Sequence, residues 1–229
     1  MKVLGIDTGA AAGSAAIMQD DVLVSEVLLT SRRTHSGRIM KAIDMVLSMA
    51  ELKPSDLDGF AVAIGPGSFT GLRIGISTVK GLAFSAEKPV ASVTTLDALA
   101  GQFPCSHALI CPILNAGKGD VYTASYRADK SGSVRRTGDY TVISPLDLTD
   151  RISEPCLFAG DGVKTYSSVI KENLGSLALF PTPFLNSIRA SAVACIGMKR
   201  LRKHEADDLK NIVPFYIRPS DAEIIRNGN

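Results

Sequence analysis

The chain predicts an α/β fold in two halves, and three observations point there. Three apolar strand-like runs open the sequence with tight links between them. Helix-length segments then alternate with apolar strands up to about residue 102. From residue 108 a similar series of strands and helices follows. Consecutive strands leading into alternating helices and strands place helices on the faces of a mixed sheet.

Residues 2–7 (KVLGID) read as a buried strand ending in a carboxylate. Residues 13–18 and 21–30 read as the next two strands. Their links carry glycine or Asp20-Asp21, so the three form an antiparallel meander. A helix is expected from about His35 to Leu52, closed by Pro54. Residues 59–65 (GFAVAIG) form an apolar strand, 70–86 a second helix, 88–93 a further strand and 96–102 a third helix. The order βββαβαβα is that of ribonuclease H-like folds. In the second half, 108–115, 121–127 and 134–143 read as three strands. A helix at 145–152, a strand at 156–159 and a helix after Gly162 follow. This is a degenerate copy of the first half, with no residue-level repeat to support it. A long final helix is expected over 187–204, and the tail 212–218 (IVPFYIR) as an extended segment laid on the body. Gln102-Phe103-Pro104 breaks the third helix, which divides the chain into domains 1–104 and 105–229.

Composition narrows the function classes. An apolar fraction of 45% with 21% charged residues suits a chain that buries a core and excludes disorder as its main state. The net charge of +2 gives no bulk argument for nucleic-acid binding. The basic run Lys199, Arg200, Arg202, Lys203 is followed by Glu205, Asp207 and Asp208 and reads as a solvated helix end. Asp7 arrives too early for a signal-peptide core, and no run approaches the roughly 18 apolar residues of a membrane span, so a cytosolic protein without a membrane partner is expected. Cys105, Cys111, Cys156 and Cys195 are scattered, and His35, His107 and His204 lack ligand spacing, so neither a zinc site nor a disulfide framework is signalled.

The segment Gly65-Pro66-Gly67-Ser68-Phe69-Thr70-Gly71-Leu72-Arg73 joins a strand end to a helix start. The first amides of a helix lack internal partners, and such a place attracts phosphate. It is neither a Walker A loop nor a dinucleotide fingerprint. A tight turn with Ser68 or Thr70 as helix cap explains it equally. Asp7-Thr8, at the end of the first strand, can hold a metal-bound water beside a phosphate, or form an Asx turn. Gly160-Asp161-Gly162 can face nucleotide from the second half, or simply start a helix.

These residues also carry a resemblance. Asp7-Thr8, GPGSFTGLRIGISTVKGLAF (65–84), Tyr216-Ile217-Arg218 and the supporting segments Thr34-His35-Ser36, Gly119-Asp120-Val121-Tyr122 and Gly160-Asp161-Gly162 resemble the TsaB (YeaZ) family of tRNA threonylcarbamoyladenosine biosynthesis proteins, over essentially the whole chain. The resemblance implies two ribonuclease H-like halves of the actin/hexokinase/Hsp70 type. It implies a non-catalytic scaffold in the transfer of threonylcarbamoyl to adenosine 37 of tRNAs reading codons that begin with A. Its partners would be a catalytic TsaD-type subunit, a TsaE-type ATPase, tRNA through the complex, and a second copy of itself when alone. No cofactor is expected on this chain alone, with ATP or ADP confined to the complex. The family's usual Asp-Ala-Arg is here Asn115-Ala116-Gly117, which removes a carboxylate and a guanidinium together. Where TsaD-type proteins carry two metal-binding histidines, this chain reads Thr95 and Leu99, which speaks against a metal of its own. Two other readings remain at this point: a stand-alone nucleotide-hydrolysing or metalloprotease-like enzyme, and a simple nucleotide-binding module.

A docking surface can also be read from the first two long helices. Ile39, Ile43, Val46 and Ala50 make one apolar side, and Ala42, Met45, Met49 and Leu52 a second strip that a helix on a sheet does not need. In the second helix Gly71 and Gly75 lie one turn apart and, with Arg73 and Thr78, complete the expected partner surface. The glycines each cost about 1 kcal/mol in a helix, so tight packing must compensate, either inside the chain against the sheet or the first helix, or across a subunit boundary.

Overall fold

The computed structural model describes residues 1–10, 12–30 and 35–218. Thr34 lies outside them, as does the tail beyond Arg218. The first sheet contains β1 (Lys2–Asp7), β2 (Ala12–Gln19), β3 (Val22–Thr30), β4 (Gly59–Gly65) and β5 (Val90–Thr94), in the order β3-β2-β1-β4-β5. β1 pairs antiparallel with β2 and parallel with β4, and β4 pairs parallel with β5. α1 (His35–Met49) and α2 (Phe69–Ala86) are the crossovers, and α3 (Thr95–Ala100) leads from β5 toward the second half. The central strands β1 and β4 are buried almost throughout, which is why their sequences are continuous apolar runs rather than alternating ones.

The second half repeats the topology. β6 (Leu109–Gly117), β7 (Asp120–Thr123), β8 (Tyr126–Ala128), β9 (Val134–Arg136), β10 (Thr141–Ile143), β11 (Cys156–Ala159) and β12 (Ala178–Leu179) form a sheet whose main path is β10-β7-β6-β11-β12. Its pairings match the first sheet strand for strand: β6 is antiparallel to β7 and parallel to β11, which is parallel to β12. Even the glycines that end β4 and follow β11, Gly65 and Gly160, share a φ of +120°. The degeneracy lies in β7–β10. Two strands expected at 121–127 and 134–143 are four, because the Ser125 carbonyl accepts the amides of Thr137 (2.7 Å) and Gly138 (3.3 Å) and folds a β8–β9 hairpin out of the sheet path.

α4 (Pro145–Thr149) and α5 (Gly162–Leu174) serve the second sheet, but α6 (Ala190–Arg202) does not. It returns to pack across β1, β2, β4 and β5 of the first sheet. Small residues permit this. A Cβ on Gly5 would stand 2.3 Å from the Ala190 carbonyl oxygen, and one on Gly197 would stand 2.4 Å from Ala61 Cβ. α1 and α2 cover the opposite face through Leu4, Ile6, Phe60 and Val62. The core between the halves is continuous: Val3, Ala61 and Leu99 from the first join Ile110, Tyr126, Ala159 and Val193 from beyond residue 105.

Candidate functional site in the cleft between the halves

β1 and β4 run parallel in one sheet, as do β6 and β11 in the other, and the turns after β1, β4 and β11 meet on one side. Ligands of open α/β sheets bind outside such carboxyl ends. Asp7 ends β1 and is buried at 1% exposure. Its Oδ1 accepts the Gly9 amide at 3.1 Å, which makes the Asx turn, while its Oδ2 has no partner among the described residues. Burial pushes its pKa up to about 7, and the charge of Asp161 across the cleft adds to the rise. Asp161 stands before α5, and its Oδ1 accepts the Asn115 amide at 2.9 Å. Its carboxyl is also shifted upward by burial, against bonds from the Asn115 and Gly162 amides. The cleft thus gathers Asp7, Asp161 and Asn115, the last being the position of the departure from Asp-Ala-Arg.

The glycine-rich turn lies beside them, but its freedom is used internally. A Cβ on Gly67 would stand 2.3 Å from the Gly9 carbonyl oxygen, and one on Gly65 would stand 2.6 Å from the Phe215 carbonyl oxygen of the tail. The Ser68 amide donates to Gly9 O at 2.7 Å, and Ser68 Oγ caps α2 by accepting from the Gly71 amide at 3.2 Å. Thr8 donates its hydroxyl to the Gly71 carbonyl at 2.7 Å. In the second half, the Gly160 amide donates to Asn186 Oδ1 at 3.1 Å, and a Cβ there would strike the Ile113 carbonyl oxygen. The phosphate-facing expectation for Gly65, Gly67 and Ser68 therefore meets a turn already bonded to its own chain.

Gly71 and Gly75, expected on the partner surface, are buried, and of the alternatives for their close contact the internal one holds, against the turn that follows β1: added Cβ atoms would stand 2.0 Å from Thr8 O and 2.2 Å from Thr8 Oγ1. On α1, Ile39, Ile43 and Val46 face the core as expected. Ala42 is corrected to the core as well, at 1% exposure, because it falls beside Ile39 and Val46 on the helical wheel. Leu52 lies beyond the end of α1, past Glu51 at φ +53°, and packs partly against the same core. Met45 and Met49 remain out at 48% and 64% exposure, and Met40, at 47%, is exposed on the other flank of the helix. Thr78 is half-buried and Arg73 exposed. Arg73 stacks over Phe69 at 3.7 Å and donates to the Tyr216 hydroxyl at 3.3 Å, while Tyr216 stacks on Phe69 at 5.3 Å between ring centres.

The tail is thereby pinned along the body, as expected: Phe215 donates its amide to Ile64 O at 2.7 Å, and Arg218 pairs with Asp120. Local reasoning missed the residues that join the halves. Glu26 on β3 accepts from Arg189 and from both the amide and hydroxyl of Ser191. Asp97 on α3 accepts the hydroxyls of Tyr126 (2.6 Å) and Tyr140 (2.9 Å). Separations of 29 to 165 residues leave no local signal for such pairs. Among the described residues no three His, Cys, Asp or Glu side chains are grouped to hold a metal ion. No described helix is long and apolar enough to cross a membrane.

Two sheets of the same strand order facing one another across a shared core, with a cleft at their carboxyl ends, define the actin/hexokinase-type class, and solved structures of that class share the fold. A YeaZ structure from Pseudomonas aeruginosa covers 94% of this chain and 99% of its own at a TM-score of 0.78 and 24% identity, a likeness of fold. The family model described as "TsaD: tRNA N6-adenosine threonylcarbamoyltransferase" matches residues 23–226. The Bacillus subtilis tRNA threonylcarbamoyladenosine biosynthesis protein TsaB is 32% identical over 97% of this chain and 96% of its own length. The Escherichia coli protein of the same name is 32% identical over 76% and 77%. The chain belongs to the TsaB (YeaZ) family.

Proposed function

We propose that this chain is the non-catalytic partner subunit of the machinery that places a threonylcarbamoyl group on adenosine 37 of tRNA, and that it supports a TsaD-type catalytic subunit alongside a TsaE-type ATPase. The observation that carries this reading is the exposed pair Met45 and Met49, one turn apart on α1, an adaptable apolar surface that the chain's own core does not use. α1 and α2 pack together, so a related subunit presenting the same pair of helices would complete a four-helix contact; a second copy of this chain would be the substitute.

The cleft supports an accessory role. Thr95 and Leu99, where the catalytic relatives would carry histidines, are both fully buried in packing. Asp161 and the buried Asp7 put carboxyls rather than cations at the place a polyphosphate would occupy, and the adjoining turn amides of Gly9 and Ser68 already have internal partners. A nucleotide held by this chain alone would face those carboxyls with no cation in the turn before Arg73, so ATP or ADP belongs to the assembled complex.

The test replaces Met45→Glu and Met49→Glu together. Circular dichroism should be unchanged, since both side chains are exposed. Size-exclusion with the TsaD-type subunit should show the complex lost, and tRNA modification should fall to the level seen without this chain. A folded variant that still co-elutes with the partner at unchanged affinity places the docking surface elsewhere.

A further inference from the structure

The basic residues Lys199 and Lys203 near the end of α6 are exposed, as a solvated helix end requires, and they also border a cavity. Lys199 and Lys203 line a cavity of about 280 Å³ between α6 and the β8–β9 hairpin, with Arg136, Arg200, Ser133 and Cys195 among the other walls. None of its lining residues belongs to the Asp7 cleft. Lys199 stands in the last turn of α6 and Lys203 just past its end, four residues on, where like charges repel unless something answers them. Neither has a hydrogen-bond or ion-pair partner among the described residues, and the Ser133 hydroxyl also has none.

The other charges in the wall are accounted for. Arg200 is held by Asp207 through two bonds of 2.9 and 3.1 Å and by the Ser92 carbonyl at 2.7 Å. Glu205 lies 3.8 Å from the same guanidinium. Asp97 is engaged by the Tyr126 and Tyr140 hydroxyls. Arg136 lies flat over Tyr140 at 4.2 Å; its Nη1 donates to the Gly138 carbonyl at 2.9 Å and stands 3.7 Å from the exposed Asp139 carboxylate, while its Nε and Nη2 make no hydrogen bond among the described residues. Two ammonium groups, a partly open guanidinium and a hydroxyl, all donors with capacity to spare, therefore belong to residues that border one concavity. Ammonium and guanidinium groups gathered in this way suit a tetrahedral oxyanion. Ile196, Val134 and Gly101 supply an apolar side, so the cavity takes a phosphate together with a small attached group.

We propose that this cavity is a phosphate-binding site in which Lys199, Lys203, Arg136 and Ser133 receive the anion. The phosphate can arrive as the backbone of an RNA or as a free phosphate ester. Backbone amide resonances of the ¹⁵N-labelled full chain distinguish them, titrated at constant ionic strength with inorganic phosphate, with AMP and with a short single-stranded RNA, and with sodium chloride as control. Each phosphate probe should cause saturable shifts at Ser133, Val134, Cys195 and Lys199 that chloride does not. RNA binding at least tenfold tighter than AMP assigns the site to RNA; equal affinity assigns it to a free ester. The double variant Lys199→Met, Lys203→Met keeps the aliphatic stems and should weaken binding at least tenfold, and Lys199→Arg with Lys203→Arg should restore it. Shifts that chloride reproduces, an absence of saturation with every probe, or unchanged affinity in the methionine variant overturn the assignment.

Discussion

A carboxyl whose pKa burial raises toward 7 changes the sign of its contribution to stability. Asp7 is buried, its Oδ2 is unpartnered among the described residues, and its pKa is pushed up to about 7 by burial first, with Asp161 adding to the rise. An unfolded aspartate titrates near 3.9. Between about pH 4 and 7 the folded protein therefore holds a proton that the unfolded chain has lost, so stability falls as pH rises through that window. Asp7→Asn removes the titration and keeps an acceptor for the Gly9 amide. The variant should match the parent near pH 4 and be more stable above pH 7, by about 1.4 kcal/mol for every tenfold difference in proton affinity between the folded and unfolded carboxyl, a few kcal/mol at most. Urea unfolding at pH 4.5 and pH 8 checks this. Equal stability at both values would mean that the carboxyl is ionised in the folded state at no cost. The sequence placed Asp7 at a strand end, which was enough to single it out. It could not show the opposing carboxyl of Asp161, because that pairing exists only once the two sheets face each other.

At the scale of elements, α2 shows what a glycine-rich helix discloses and what it conceals. Gly71, Gly75 and Gly81 are each costly in a helix, and from the sequence all three ask for the same explanation. The structure separates them. A Cβ on Gly71 meets Thr8 O, a backbone atom, at 2.0 Å; a Cβ on Gly81 meets nothing within 4 Å. Gly81→Ala should stabilise by about 0.5–1 kcal/mol through helix propensity and a less disordered unfolded chain. Gly71→Ala gains the same propensity but must displace the turn after β1, and should lose roughly 1–3 kcal/mol net. Chemical denaturation of the two variants side by side reads the difference, and a stabilised Gly71→Ala would remove the close approach as the reason for that glycine. Strand and helix order was legible because hydrophobic period is local. The end of α1 and the splitting of 121–143 were not. The first depends on Glu51 turning the chain back at positive φ, and the second on Ser125 accepting bonds from twelve and thirteen residues away.

For the whole molecule, the decisive feature is that α6 crosses from the second half to the first. Sequence order assigns it to the second half, and its apolar pattern does not say which sheet it covers; only Gly5 and Gly197, small residues at the contact, mark the crossing. Glu26 fastens its start. That carboxyl is 5% exposed on its side chain and accepts from Arg189 and Ser191. Burial alone would raise its pKa, but the bonds from Arg189 and Ser191 outweigh it and hold it below the usual glutamate value. A lowered carboxyl contributes stability that is present above its unfolded pKa and is lost as pH falls through the folded one. Glu26→Ala leaves Arg189 and the Ser191 amide without their acceptor. Breaking a buried pair in this way costs about 3–5 kcal/mol; with Arg189 35% exposed at its side chain, a loss of about 2–4 kcal/mol is expected at pH 7, shrinking toward acid pH. The manner of unfolding should nevertheless be unchanged. The core between the halves draws side chains from both, so neither half can open without exposing the other. The chain offers its own probe of this. It has no tryptophan, and its five tyrosines, at 122, 126, 140, 166 and 216, all lie beyond residue 105. Tyrosine emission therefore reports the second half and the tail, whereas ellipticity at 222 nm draws heavily on α1 and α2, of 15 and 18 residues, in the first. In both parent and Glu26→Ala the two signals should share one midpoint, lower in the variant. Separate midpoints in the parent would mean that the halves unfold independently and that the shared core does not couple them.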